Sequence, residues 1–190
     1  RPGALRMGQR GLTQCKIAWG DASEFVCERC PSSSVDEVHL YHPQPYYEAG
    51  KRALRQLSPE VLLAIHRVLR PGGLLVFQTD NAAYARYVRE VVSALFEWRE
   101  QRGSWPDAPE GRTKREAVAG SRGLAIVRAA CRRLDMEPEE AAQRAATLPE
   151  PRFDADRPAH QRRLGRKRPG SPQQVVLAHA ERPERHVTLE

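Results

Sequence analysis

The stretch SPEVLLAIHRVLRPGGLLVFQTD, residues 58–80, decides the fold class of this chain. Ser58 is a favourable N-cap and Pro59 suits the first helical position, and apolar residues then recur at helical spacing. The Pro-Gly-Gly that follows cannot continue a helix and permits a turn. The unbroken apolar run Leu74–Phe77 is typical of a strand that is covered on both faces. The stretch therefore predicts a helix, a turn and a buried strand, which is half of a βαβ unit with Asp80 at the strand tip.

Segments on both sides of this stretch extend the alternation of strands and helices. Strands are predicted at Gln14–Trp19 and Val35–Tyr41, with a helix at Ala22–Arg29 between them. The segment Asn81–Trp98 carries apolar residues on one broad face and is predicted to be a helix that covers the sheet. Together these elements predict an α/β fold with a doubly wound, mostly parallel sheet.

The composition changes after residue 102, which predicts three parts: a core over residues 1–102, a basic insertion rich in arginine and proline over residues 103–172, and a final strand with a tail over residues 173–190. Thr113 with Glu116 three residues on has the spacing of a capping box. The elements expected after residue 102 are a basic helix at Thr113–Leu134, a short helix at Glu137–Ala146, the charged run Arg162–Arg168 and the strand Gln174–Ala178.

The charge balance favours a polyanionic partner. The chain has 31 Lys and Arg against 24 Asp and Glu, a net charge of +7, and the excess is mostly arginine, which suits bidentate phosphate recognition. There is no apolar run of the roughly 18 residues that a membrane span requires, and no signal-peptide core, so a cytosolic protein is predicted. The oligomeric state stays open, with a monomer as the expectation.

The four cysteines include one C-x-x-C pair, Cys27 and Cys30. A zinc site would need a second pair of ligands at comparable spacing, and the histidines offer none in a convincing pattern. A redox pair would open a helix, whereas this pair falls late in the predicted helix. Reduced, structural cysteines and no metal are therefore expected.

Three stretches together resemble one protein family. Gly20-Asp21-Ala22 is an acidic turn at a strand end; LYHPQPYYEAGKR, residues 40–52, is similar to a loop of the form F-P-D-P-W-P-K-K-R-H; and Thr79-Asp80-Asn81 is similar to a T-D-W at the next strand tip. In this order and spacing they resemble the tRNA (guanine-N7)-methyltransferases, a branch of the S-adenosylmethionine-dependent methyltransferases. The resemblance covers roughly residues 4–98.

This resemblance implies a Rossmann-like methyltransferase core, S-adenosylmethionine as the cofactor and tRNA as the substrate. It also implies that no general base is needed, because the guanine N7 is already nucleophilic and the protein mainly positions the methyl group. The implied roles are cofactor binding for Asp21, Ala22 and Gln44, the catalytic position for Gln44, the guanine edge for Asp80, and tRNA phosphate for Lys51 and Arg52.

The chain also departs from the family pattern. Gln44 replaces the aspartate of P-D-P, and a neutral amide can hydrogen-bond but cannot supply charge. The family has a T-x-Y/F-E motif near its C-terminus, and Thr147–Glu150, TLPE, fits the spacing. No glycine-rich loop follows a strand, so an N-terminal cofactor segment is expected to be missing from the sequence.

Several alternatives stay open at this point. Asp21 and Asp80 can each be the N-cap of the helix that follows, rather than ligands. The chain can also be an inactive RNA-binding module on a methyltransferase-like shell, with salt-sensitive RNA binding and no cofactor. A third class is a small-molecule methyltransferase that tRNA does not inhibit. No chemistry is assigned to His42, and Trp105 is expected to pack onto the domain.

Overall fold

A computed structural model of the chain describes residues 8–9, 11, 13–16, 20–46, 51 and 55–148. Some of the predictions fall outside these residues. They are residues 17–19 of the first predicted strand, Arg52, residues 149–150 of the TLPE segment, the run Arg162–Arg168 and the strand Gln174–Ala178.

The described residues alternate between helices and strands. In chain order they form α1 (Ala22–Glu24), which continues as a π-helical turn (Phe25–Arg29), β1 (Val35–Tyr41), α2 (Pro59–Val68), β2 (Leu69–Thr79), α3 (Ala82–Val92), β3 (Phe96–Glu100), α4 (Lys114–Ser121), β4 (Val127–Arg133) and α5 (Pro138–Ala146).

The described strands form one sheet in the order β1-β2-β4-β3. β1 pairs with β2 in parallel, whereas β4 is antiparallel to both of its neighbours, β2 and β3. Three of these four strands therefore run in one direction and only β4 runs in the other. This confirms the α/β class with a mostly parallel sheet.

The stretch that decided the fold class folds largely as predicted. Ser58 caps α2 through its hydroxyl oxygen, which accepts a hydrogen bond from the Val61 amide (3.3 Å), and β1 has the predicted bounds. The Pro-Gly-Gly, however, lies inside β2 as a bulge rather than between helix and strand. Val35 pairs with Leu69 and Glu37 pairs with Leu74, so β2 has three residues more than β1 in this interval.

Two helix predictions are wrong in their second halves. The predicted helix Asn81–Trp98 ends at Val92, and its last residues form β3. The predicted helix Thr113–Leu134 is α4 followed by β4. Ladder pairing between β4 and both β2 and β3 satisfies the backbone of these residues and overrides their local helix preference. β4 also places part of the segment predicted to be an insertion inside the sheet.

The two faces of the sheet differ in what covers them. The helix-covered face carries Val38, Leu75, Phe77, Ala129 and Cys131, which join one apolar core with the inner sides of α2 and α3. Alternation along the strands sends Tyr41, Gln78 and Arg128 to the opposite side, which we call the polar face.

The polar face is covered by the segment between β3 and β4, which includes Trp105 and α4. Helical structure thus lies on both faces of the described sheet. None of the helices in the described part of the chain is both long and apolar enough to cross a bilayer.

Candidate active site at the carboxyl ends of β1 and β2

Because β1 and β2 are parallel neighbours, their carboxyl ends meet at one edge of the sheet. The His42 amide donates a hydrogen bond to the Gln78 carbonyl oxygen (2.6 Å), which ties the loop after β1 to the end of β2. His42 has a φ of 50°, in the left-handed region, and this turns the chain across the edge. Gln44, which is exposed, follows two residues later. The structure therefore brings Gln44 and Asp80 to the same edge.

Two basic side chains flank Asp80 at this edge. Its carboxylate accepts two hydrogen bonds from Arg115, Nε to Oδ2 at 3.0 Å and Nη2 to Oδ1 at 2.8 Å. His42 Nδ1 lies 3.5 Å from Asp80 Oδ1. Burial alone would raise the pKa of Asp80, but His42 and the Arg115 guanidinium lower it to about 2. Asp80 is therefore a fixed carboxylate at neutral pH.

Asp80 is not the N-cap of α3, which answers one of the open alternatives. The neighbouring residue, Asn81, has that role: its Oδ1 accepts a hydrogen bond from the Tyr84 amide (3.0 Å). The Asp80 carboxylate thus has no helix amide to satisfy, and its side chain is still 14% exposed at the edge of the sheet.

The hydrogen-bond network behind Asp80 fixes the tautomer of His42. Trp105 Nε1–H can only donate, and it donates to Gln78 Oε1 (2.5 Å). The Gln78 amide nitrogen must then donate to His42 Nε2 (3.0 Å). His42 Nε2 is therefore the acceptor, and its Nδ1 carries the hydrogen and faces Asp80. In the sequence His42 has no partner pattern, and the structure shows its partners at this edge.

Thr113 and Glu116 lie at the same edge. Thr113 Oγ1 is 3.3 Å from His42 Nε2, and it also accepts a hydrogen bond from the Glu116 amide, which caps α4. The two residues have the T-x-x-E spacing that the sequence analysis assigned to Thr147–Glu150. Of that segment, Thr147 lies at the end of α5 and donates to the Arg144 carbonyl. The capping-box spacing was the sequence signal that marked Thr113 and Glu116, and their position at this edge is seen only in the structure.

Glu116 is a buried carboxylate whose oxygens are paired. Its Oε1 accepts from Arg128 Nε (2.7 Å) and its Oε2 accepts from the Arg112 amide (2.7 Å). Burial alone would raise the pKa of Glu116, but hydrogen bonds from Arg128, Gln78 and Arg112 lower it. Glu116 therefore stays ionised and holds the start of α4 against β4.

This contact requires a glycine just before Arg112. Gly111 has a φ of 103°, which side chains rarely adopt, and a Cβ there would lie 3.0 Å from Glu116 Cγ. A side chain at this position would be strained by the φ and would crowd Glu116.

Arg112 and Trp105 form the cover of the polar face. The Arg112 guanidinium lies 4.2 Å from the Trp105 ring centroid, and it donates to the Tyr41 hydroxyl (3.1 Å) and to Asp107 (2.7 Å). Burial raises the pKa of Tyr41 in spite of the hydrogen bond from Arg112, so its hydroxyl stays neutral. Trp105 is only 5% exposed, which confirms that it packs onto the domain.

For the other predicted site residues the structure shows the local setting only. Asp21 is the N-cap of α1: its Oδ1 accepts from the Ser23 amide (2.8 Å) and the Glu24 amide (3.0 Å). Ala22, half-buried, is the first residue of α1, and Lys51 is exposed. Arg52 is outside the described residues. The roles given to these residues stay predictions.

The cysteines of the described part are free thiols, with Cys27 exposed and Cys30 buried. Among these described residues, no group of three or more His, Cys, Asp or Glu side chains is arranged to hold a metal ion.

The chain is similar in sequence to known methyltransferases. Residues 4–129 match the model of a family described as putative methyltransferase. Three similar proteins are each named tRNA (guanine-N(7)-)-methyltransferase. The protein of Paracidovorax citrulli is 38% identical over 94 residues, 48% of this chain and 38% of that protein. The protein of Dechloromonas aromatica is 41% identical over 95 residues, 48% of this chain and 38% of that protein.

The third relative, from Nitrosococcus oceani, is 28% identical over 130 residues, which are 66% of this chain and 55% of that protein. The aligned regions thus span 38% to 55% of the length of these three relatives. The family model, in contrast, covers about two thirds of the 190 residues, from the segment before α1 into β4. The chain therefore belongs to this family of putative methyltransferases.

Proposed function

We propose that the protein transfers a methyl group from S-adenosylmethionine to N7 of a guanine in tRNA. The observation that carries this proposal is the meeting of three separate segments at one sheet edge: the loop with His42 and Gln44, the β2 tip with Asp80, and the start of α4 with Thr113. Ligands of α/β sheets bind at such carboxyl ends. The names of the relatives give the reaction and the substrate class.

The start of α1 fits the adenine end of the cofactor. Both helix amides that Asp21 caps bind its Oδ1, so its Oδ2 is not used by these bonds and the residue is exposed. The Ala22 amide is at the first position of α1, where helix amides have no partner within the helix. An acceptor beside a donor complements the amino group and N1 of adenine. Asp21 and Ala22 would therefore hold the adenine.

The chemistry at the carboxyl edge needs positioning more than proton transfer. S-adenosylmethionine supplies an electrophilic sulfonium methyl, and guanine N7 carries a lone pair and no proton, so no base is required. Gln44 would orient the base or the cofactor through its amide. Asp80 would accept hydrogen bonds from guanine N1–H and the C2 amino group, because it is fixed and ionised.

The rest of the proposal concerns the macromolecular partner. Lys51 and Arg52 follow the loop that carries Gln44, and a net charge of +7 favours the tRNA backbone. A cytosolic location and a monomeric state stay predictions, as does the division of the chain after residue 102.

The proposal is tested by incubating the full-length gene product with radiolabelled S-adenosylmethionine and unmodified tRNA, followed by nucleoside analysis. Label in 7-methylguanosine is expected. Gln44→Ala should lower kcat by about tenfold to a hundredfold, since it removes a positioning contact, whereas Gln101→Ala, outside the edge, should not. If the folded protein puts label into no nucleoside, the proposed enzymatic function is wrong.

A second candidate is an RNA-binding module without activity. Two observations favour it: the neutral Gln44 at the catalytic position, and the Asp80 carboxylate already bound by Arg115. This candidate predicts that tRNA binding is salt-sensitive and that calorimetry detects no cofactor binding. It also predicts that Gln44→Ala does not change the affinity for tRNA.

A further inference from the structure

We propose that Arg115 is a built-in plug of the guanine site: its guanidinium occupies Asp80 in the way that a guanine edge would, and it must swing away before the base can bind. This inference rests on the proposed function, since it assumes that Asp80 receives a guanine. It names Arg115 as a residue that sets the affinity of that site.

The geometry of the contact is the first argument. Arg115 presents two parallel N–H groups, Nε and Nη2, to the two oxygens of Asp80, at 3.0 Å and 2.8 Å. Guanine presents the same pair, N1–H and the C2 amino group, because N1, C2 and the amino nitrogen are part of a guanidine unit in its ring. A carboxylate that accepts one fork in this bidentate manner has the right shape for the other. Both ligands cannot be bound at once.

The exposure of the two side chains is the second argument. The Arg115 side chain is 47% exposed and can turn into solvent, whereas the Asp80 side chain is 14% exposed and is also flanked by His42. The half-exposed guanidinium can exchange the carboxylate for water, and solvent and salt weaken the ion pair on its exposed side. The carboxylate stays in place and is left open to a ligand.

The anchoring of α4 is the third argument, because it confines the movement to one side chain. The Thr113 hydroxyl caps the helix and lies 3.3 Å from His42, and Glu116 is bound to Arg128 in the next strand (2.7 Å). The backbone of Arg115 lies between these two anchors. Unplugging therefore needs a rotamer change and not a shift of the helix.

The expected size of the effect follows from the population of the open state. The apparent Kd of a ligand equals its intrinsic Kd divided by the fraction of molecules that can bind. If the plug is closed in about nine molecules of ten, its removal should tighten guanine binding by roughly tenfold.

The test is the binding of guanosine 5′-monophosphate to the full-length protein and to Arg115→Ala, measured by calorimetry at low salt. Arg115→Ala should tighten this binding by roughly tenfold. Adenosine 5′-monophosphate lacks the donor pair and should show no gain in affinity in Arg115→Ala. The expected gain runs against simple charge, because the loss of a cation would weaken the binding of an anionic nucleotide. If Arg115→Ala binds the guanine nucleotide more weakly than the wild type, or equally well, the proposal that Arg115 blocks the site is wrong.

Matched variants complete the experiment. Arg122→Ala removes another exposed arginine two turns further along the chain and should leave the affinity unchanged. Asp80→Asn in the Arg115→Ala background should remove the gain. Arg115→Met keeps the aliphatic stem and serves if the alanine variant does not fold. The experiment measures binding and not methylation. If Arg115→Ala binds the guanine nucleotide more tightly but the protein never methylates tRNA, the plug is supported and the proposed function is refuted.

Discussion

The two faces of the sheet are built on opposite principles, although they share the same strands. The helix-covered face is apolar: Phe77, Ala129 and Cys131 are fully buried there. The polar face buries Gln78, Glu116 and Trp105, and each of these polar groups has a specific hydrogen-bond partner. The helix-covered face is stabilised by buried apolar area and close packing. The polar face is stabilised by specific hydrogen bonds and ion pairs.

This difference teaches where a candidate site can form. An apolar face tolerates substitutions between apolar residues of similar volume. A buried polar network, in contrast, fixes the positions and directions of particular donor and acceptor atoms. The network on the polar face ends at His42 and Asp80, so it orients the groups at the carboxyl edge. Burial of apolar surface, as on the helix-covered face, is the main favourable term in folding.

The largest expected effect lies on the helix-covered face. Phe77→Ala in the full-length protein should lower the free energy of unfolding by about 4 kcal/mol, through lost burial and the cavity left behind. Urea denaturation followed by circular dichroism measures it. Leu124→Ala, at a residue that is 52% exposed, should change stability by less than about 0.5 kcal/mol. Equal losses in the two variants would contradict the core assigned here.

On the polar face, a smaller loss of unfolding free energy is expected, and its size should depend on whether Glu116 is still charged. Arg128→Met leaves Glu116 buried and without its main cation, which should cost about 3 kcal/mol. Adding Glu116→Gln to the same protein should recover part of this loss, since no unpaired charge is left. The exposed pair of Glu140 and Arg144 is the control, and Glu140→Gln should cost about 0.5 kcal/mol or less. If the double variant is simply additive, the two residues do not act as a pair.

The smallest expected effect is a pH dependence confined to the carboxyl edge. The pKa of Asp80 is lowered from 3.8 to about 2 in the folded protein. Because the folded pKa is the lower one, the ionised form contributes stability that is fully present above about pH 5 and is lost as the pH falls to about 2. That contribution is at most about 2 kcal/mol.

Unfolding curves of the wild type and Asp80→Asn at several pH values isolate this term. Their difference in unfolding free energy should shrink between about pH 5 and pH 2, while the same comparison for Phe77→Ala should stay nearly constant. A difference for Asp80→Asn that does not change with pH would show that the carboxylate is not stabilised in the folded state.

Much of the fold could be predicted because its signals are local. The cap at Ser58 and the alternation in β1 each need only a few neighbouring residues. The prediction failed at β3 and β4, whose residues have mixed signals. β4 contains Ala129, Ala130 and several arginines, which favour a helix in isolation. Phe96 and Trp98 fit the apolar side of a helix as well as one side of a strand.

The candidate site was predicted in part for the same reason. Asp80 and Gln44 lie at strand ends that the sequence could place, so their common edge was foreseen. Arg115 was not, because its partner Asp80 is 35 residues away in the chain. Nothing in the local sequence of α4 states which carboxylate an exposed arginine will meet.

The sequence by itself determined which segments form helices and strands around residues 58–80, since capping, turn chemistry and hydrophobic period act between near neighbours. Only the tertiary structure decided that β4 enters the sheet between β2 and β3, and that it brings α4 over the edge with Asp80. The physical reason is that ladder hydrogen bonds and ion pairs depend on where the chain returns in space.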